Sequence, residues 1–298
     1  MVSALVKSKV SRYLDFRNVN GFYIKDDTEL LAVPCSKSEL FKTTALTPIE
    51  KRKMMKFITD ETDIEENGQE LGEYLKTFDL SEKLQRYILS SLAFADIDDS
   101  IVHVKDKLKL FLSSYGKYGP SAFLYPIYGN SELHQAFSRY SAVFGGTFCL
   151  DFNQEHEDSL QNFEFVSIPT EESSQRVSCV VTKGPMFPNV IDETEKIDLI
   201  ILDHSKVLQI SANAGMIAPD GYFVTYFFGT DRDQITSEID DNLENDNLVL
   251  LVHREVKFAL LDYDAEINAA EKKFRELIPD EKIEFLESAP DPEDVVIV

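Results

Sequence analysis

The residues of this sequence that could support catalysis are not spaced for it. Asp203-His204-Ser205 supplies the three residue types of a hydrolytic triad, but as chain neighbours. Adjacency says nothing about the geometry a base and a nucleophile need, so an ordinary turn is the better reading. His103, His134, His156, His204 and His253 are scattered, with no spacing that would bring two of them to one metal ion. Asp96-Ile97-Asp98-Asp99 opens like a calcium loop, yet position six is Ile101 rather than glycine and position twelve is Lys107 rather than glutamate, which leaves a solvated acidic turn. There is no G-x-G-x-x-G, no Walker loop, no G-x-S-x-G and no H-E-x-x-H. No catalytic residue, cofactor or metal is expected, and the chemistry that remains is recognition. Glu132 and Arg139, seven positions apart, would lie within about 20° of one another on a helix, displaying one acid and one base side by side. From pattern alone, a solvent-exposed ion pair worth under about 1 kcal/mol and a binding surface are equally good readings.

What must position that pair is a helix framed by glycines. Gly116, Gly119, Gly129, Gly145 and Gly146 fall between Tyr115 and Leu150 together with Pro120 and Pro126, so the backbone there passes through several prescribed turns. Between Gly129 and Gly145, Leu133, Ala136, Phe137 and Tyr140 recur at helical spacing. Asn130 or Ser131 is placed to cap the start, and the glycine pair to stop the end.

The remainder alternates between two periods. Residues 10–16, 21–25 and 30–34 read as strands separated by Asn and Asp turn signals, with no helix of their own. From Ser36 the period becomes helical. Thr47-Pro48-Ile49-Glu50 is a capping box with proline at the first helical position, leading into Met54, Met55 and Ile58. After an acidic loop at 60–66, Leu71, Tyr74 and Leu75 mark a short helix. Ser81 caps one carrying Leu84, Ile88 and Leu92, and Ile101, Val104, Leu108 and Phe111 mark another. After Leu150, residues 163–168, 177–182, 197–202, 222–228, 248–252 and 256–261 read as strands. An acidic loop at 240–246, a closing amphipathic helix at 265–278 and a Pro- and acid-rich tail at 288–294 complete the chain. The fold class is therefore α+β or α/β, with 1–35 and 116–298 as a mixed sheet and helix body and 36–115 as an inserted all-helical lobe.

Composition narrows the partners. Asp and Glu total 53 against 30 Lys and Arg, a net charge of -23, which repels phosphate backbones and anionic lipid and favours proteins with basic surfaces. Nucleic acid is excluded as a partner. Cys35, Cys149 and Cys179 contain no C-x-x-C, which fits a reducing cytosol, and no run approaches the roughly 18 apolar residues of a membrane span, so no stable membrane insertion is expected. The opening MVSALVKSKV is too short and too interrupted by lysine for a signal peptide.

The stretch YGKYGPSAFLYPIYGNSELHQAFSRYSAVFGGTFCL resembles the signature of the Rab GDP-dissociation inhibitor and Rab escort protein superfamily, with Y-P-x-Y-G, E-L-x-Q-x-F-x-R and F-G-G-T elements all present. The resemblance implies a dissociation-inhibitor-like, FAD-binding-like body that begins after the family's N-terminal βαβ segment. It further implies a platform for GDP-bound Rab GTPases, with Glu132 and Arg139 as its acid and base and Thr147 and Cys149 as contact positions after the glycine pair. Cys149 resembles the escort proteins rather than the dissociation inhibitors. VPCSKSELFKTTALTPIEKRKMMKF and EYLKTFDLSEKLQRYILSSLAF also resemble the escort branch, whose contact with the Rab geranylgeranyl transferase α/β heterodimer uses a phenylalanine and an arginine eleven positions apart; Phe41 and Arg52 match both. The implied function is that of an escort protein, non-catalytic itself, which presents Rab for geranylgeranylation, shelters the geranylgeranyl lipid of the Rab tail between its helices and delivers the product to membranes. The alternatives are a dissociation inhibitor that recycles prenylated Rab and, against the missing phosphate-binding glycines, a flavin oxidoreductase related by fold.

Overall fold

The computed structural model describes the chain apart from residue 28 and residues 61–69, 149–174, 189–195, 244–246, 257–262, 280–281, 283–284 and 287–298. The expected strand at 163–168, most of that at 256–261, parts of both acidic loops, the proline-acid tail and the site residue Cys149 lie outside the described residues. Internal contacts divide the chain into two units, one of Met1–Phe16, Tyr125–Gln175 and Glu255–Val298, the other of Arg17–Leu124 and Arg176–Arg254. The helical run and the strands of the sheet thus share one unit.

In the first unit the expected strand at 10–16 gives way to helix. Helix α1 spans Val2–Lys7, and a 3-10 turn follows at Val10–Tyr13, entered through Lys9 at φ 61. Val10, Tyr13 and Leu14 are spaced i, i+3, i+4, a helical turn's spacing. Val10 and Leu14 are buried with Leu5 and Ala136, the last of these on a later helix of this unit, α7 (Ser131–Val143), and Tyr13, Leu133 and Tyr140 pack around them. Burial against a partner helix outweighs the strand preference of Val and Tyr.

The second unit opens with strands β2 (Gly21–Asp26) and β3 (Glu29–Ala32); the short β1 (Phe16–Asn18) and β4 (Leu124–Pro126) lie where the chain passes between units. Then come helices α2 (Lys37–Lys42), α3 (Pro48–Ile58), α4 (Leu71–Thr77) and α5 (Glu82–Arg86), the last continuing as a wide π turn over Tyr87–Ala93, and α6 (Ile101–Ser114). The capping box forms as expected: Thr47 N–H donates to Glu50 Oε2 at 2.8 Å, and Glu50 N–H to Thr47 Oγ1 at 3.3 Å. Strands β5 (Gln175–Lys183), β6 (Ile197–Ile201), β7 (Lys206–Ser211), β8 (Tyr222–Gly229) and β9 (Leu248–Val256) complete a seven-stranded sheet in the order β3-β2-β6-β7-β8-β5-β9. β2 runs parallel to β6, whereas β2/β3, β6/β7, β7/β8 and β5/β8 are antiparallel. Two helices that sequence did not signal are α8 (Ala212–Gly215) and α9 (Arg232–Asn242); the closing helix α10 spans Tyr263–Leu277, in the first unit.

Every residue of β6 is buried, and alternate residues enter opposite layers. Ile201 joins Ile24 and the helical residues Met54, Phe57, Leu84, Leu108 and Phe111 on one face. Ile200 joins Val207, Phe227, Ile235 and Ile239 on the other, the last two from α9. This is a sheet between helical layers, the fold class expected. No helix among the described residues is long and apolar enough to cross a membrane.

Candidate functional site

Asp203, His204 and Ser205 do not assemble a catalytic centre. Asp203 pairs with Arg86 at 2.8 Å and Lys25 at 3.3 Å, while the backbone N–H of His204 (2.8 Å) and the Ser205 hydroxyl both donate to the buried carboxyl of Glu238 on α9. The run is the turn between β6 and β7, held by α9 and tied to α5. The acidic turn at Asp96 is likewise local, its N–H donating to Asp99 Oδ2 at 2.7 Å.

In the first unit, helix α7 presents the predicted acid and base. The Y-P-I-Y-G element is a tight turn: Gly129 N–H donates to Pro126 O at 3.0 Å with Gly129 at φ +93. Asn130 is the residue before the helix, as expected, but its side chain does not cap it. Its Oδ1 accepts instead from the Tyr263 hydroxyl at 2.7 Å, which couples the start of α7 to the start of α10. Glu132 turns back to accept the Tyr128 N–H at 3.3 Å, and the exposed Arg139 guanidinium lies over the Tyr13 ring, 4.9 Å from its centroid. Each polar head is thus steadied by a partner, Glu132 by a chain neighbour and Arg139 by a distant one, and among the described residues the two form no ion pair. Thr147 is exposed beyond the glycine pair, as are the aromatic residues Phe144 and Phe148; Phe137 on α7 and Tyr128 before it are exposed too. A helical-wheel reading puts Phe137 on the apolar stripe with Leu133, Ala136 and Tyr140, but among the four it is the exposed one.

The two glycines of F-G-G-T do different work. Gly145 sits at φ +88, and Gly146 N–H closes a six-residue ring onto Ser141 O at 3.0 Å, which stops the helix. A Cβ on Gly146 would fall 2.3 Å from Ser141 Oγ and 2.9 Å from Ser141 O. Gly146→Ala is therefore expected to cost on the order of 1–3 kcal/mol, measured by the urea midpoint. Ser141→Ala in the same chain should recover only part of the loss, since the carbonyl clash persists.

In the second unit, Phe41 on α2 is 70% exposed, and Arg52 on α3 is exposed as well. Lys51 Nζ donates to the carbonyls of Phe41 (3.0 Å) and Thr43 (2.6 Å), so the end of α2 is stapled to α3 beside Arg52. Phe41 does not enter the core, the placement its residue type would ordinarily receive. Behind these helices lies a cavity of about 550 Å³, within the range of small-ligand sites, lined by Leu40, Met54, Met55, Ile58, Leu108 and Leu112. A Lys105–Asp60 ion pair at 2.9 Å and the Cys35 thiol stand on its wall. Burial pushes that thiol up to about 12, with Glu39 adding to the shift, so it stays protonated and unreactive. The apolar lining combined with flexible methionines suits an aliphatic guest.

Comparison with known proteins gives consistent results. The family model described as GDP dissociation inhibitor matches residues 1–216. The chain is 36% identical over 160 residues to "Rab proteins geranylgeranyltransferase component A" of Drosophila melanogaster, a match covering 50% of this chain and 31% of that protein. It is 30% identical over 216 residues to "Rab GDP dissociation inhibitor beta" of Canis lupus familiaris, covering 67% of this chain and 48% of that protein. The matched stretch thus spans under a third of the first relative and about half of the second. Among solved structures, the crystal structure of Rab GDI from Plasmodium falciparum superposes with a TM-score of 0.68 at 16% identity, covering 95% of this chain and 80% of that one.

Proposed function

We propose that this chain, which belongs to the GDP dissociation inhibitor family, works as the escort type of that family. In this reading it is a non-catalytic subunit that binds GDP-bound, unprenylated Rab GTPases and presents them to the Rab geranylgeranyl transferase α/β heterodimer, which performs the lipid transfer. The observation that supports the reading is that Phe41 and Arg52 are both exposed, an aromatic anchor and a guanidinium on two helices that the Lys51 side chain ties together. Rab docks on the face of α7, where Glu132 and Arg139 are steadied, Thr147 continues the surface, and Cys149 follows in sequence. The apolar cavity behind α3 receives the geranylgeranyl chain once it is attached. A surface dominated by carboxylates keeps such a carrier off nucleic acid and anionic lipid, in keeping with work in the cytosol. Capture of the purified transferase by the wild-type chain, lost on Phe41→Ala, is the expected result; equal capture by both would overturn the docking assignment.

A second reading, a dissociation inhibitor that recycles prenylated Rab, is favoured by one observation: the match to the dissociation inhibitor runs over 67% of the chain against 50% for component A. It predicts extraction of prenylated Rab-GDP from vesicles without transferase, and no transferase capture.

A further inference from the structure

We infer that Ile49 is a third anchor of the transferase-docking surface and that the partner meets it with a carboxylate set in an apolar recess. The inference rests on the docking reading given above and adds to it the chemistry of the partner. Ile49 is 65% exposed at the first turn of α3, although an isoleucine gains nothing from water there and a helix start has polar residues to choose from. It lies three residues before Arg52, which places the two side chains on one helix face. The Lys51 staple brings the end of α2, with Phe41 exposed on it, against the same stretch.

The charges of the first turns of α3 are committed elsewhere, with one exception. Glu50 closes the capping box, and that backbone hydrogen bond from Thr47 holds its carboxyl below the usual range. Lys51 is spent on the two carbonyls, Lys53 pairs with Asp79 at 2.5 Å, and Lys56 lies over the Phe78 ring. Arg52 alone in this basic run makes no hydrogen bond, ion pair or ring contact among the described residues. In a chain with a net charge of -23, an exposed guanidinium without a paired acid, with exposed Ile49 one turn before it and a helix end carrying exposed Phe41 tied to its neighbour Lys51, is a surface waiting for an acid on another molecule. Apolar contacts on either side would exclude water from the new ion pair and strengthen it.

The test is titration calorimetry of the full chain against purified Rab geranylgeranyl transferase. Ile49→Ala should weaken binding about tenfold. Ile49→Asp should weaken it further, because it sets an acid beside Arg52, while an aspartate in a first helical turn leaves α3 intact. Ile49→Leu should bind as the wild type does. Wild-type affinity in Ile49→Ala together with lost binding in Phe41→Ala would overturn the third anchor and leave the docking reading standing. No binding by the wild-type chain, or full binding by Phe41→Ala, would overturn both. A dimer of the chain alone in sedimentation, dispersed by Ile49→Asp, would assign the patch to self-association and overturn the inference as well.

Discussion

Raising the pH from 5 to 7 is expected to lower the thermal midpoint of this chain by roughly 5–10 °C, and Asp198→Asn is expected to remove most of that slope. Asp198 lies on β6 with no surface exposed, and neither carboxyl oxygen has a hydrogen-bond partner among the described residues. Its neighbours across the sheet are Gly21 on β2 and Gln209 on β7, followed by Thr225 on β8; the Gln209 amide nitrogen and the Thr225 hydroxyl are likewise unpartnered. Burial pushes the carboxyl up to about 7, with Lys196 pulling weakly the other way, and Asp198 in turn adds to the rise at Tyr23. The folded state therefore binds a proton that the unfolded chain, with an ordinary carboxyl, has released. Stability is fullest below the ordinary carboxylate range and declines as pH rises toward 7, by about 1.4 kcal/mol per pH unit across that interval. Asparagine keeps the shape and carries no proton to lose, so its midpoint should stay nearly level. A parallel slope in both proteins would show that general repulsion among the carboxylates, not Asp198, sets the dependence. Gly21 belongs to the same arrangement: a Cβ there would fall 1.9 Å from Asp198 Oδ1 and 2.5 Å from the Tyr23 ring, so the carboxyl occupies the space a side chain at position 21 would need.

Sequence reading succeeds here where local rules and tertiary packing agree. The capping box at Thr47, the stop at Gly145-Gly146 and the strands β2 and β6 all depend on near neighbours, and each forms. It fails where a distant partner decides. Val10 and Tyr13 carry strand propensity, yet they pack with Ala136, Leu133 and Tyr140 of α7, and the segment turns as a 3-10 helix. Asn130 has the right type for a cap but is taken by Tyr263, 133 residues away. Helix α9 shows only Ile235 and Ile239 as apolar punctuation in an otherwise polar stretch, too weak a period to register. β7 is hidden because Gln209 breaks its short apolar run of Val207, Leu208 and Ile210, whereas the equally buried β6 shows a longer apolar run. The proposed docking residues are legible by resemblance alone: pattern gives Phe41 to the core, and its exposure in the folded chain agrees with a surface role. Tyr13 beneath Arg139 carries no local signal, since that contact needs two segments more than a hundred residues apart.

Glu238→Ala is expected to cost about 3 kcal/mol in urea unfolding, and Ser205→Ala about 1. Glu238 is buried and receives two donors from the β6/β7 turn, the His204 N–H and the Ser205 hydroxyl. Its removal leaves both without a partner inside the fold, with the heavier desolvation penalty at the buried Ser205 hydroxyl, whereas losing the hydroxyl takes donor and demand away together. Equal costs for the two substitutions would mean that the turn holds itself. The same turn carries Asp203, which grips Arg86 at the end of α5, and α5 runs into the π turn whose Leu92 lines the apolar cavity. A loosened turn is therefore felt in the helices that carry the cavity; on the escort function proposed above, Glu238→Ala should weaken retention of a geranylgeranylated Rab peptide more than capture of the transferase, because the end of α2 that carries Phe41 is tied to α3 through Lys51, a link that does not pass through Asp203. A residue trio that looks like a hydrolase in sequence is thus expected to act only through the support it gives the helices that line the cavity.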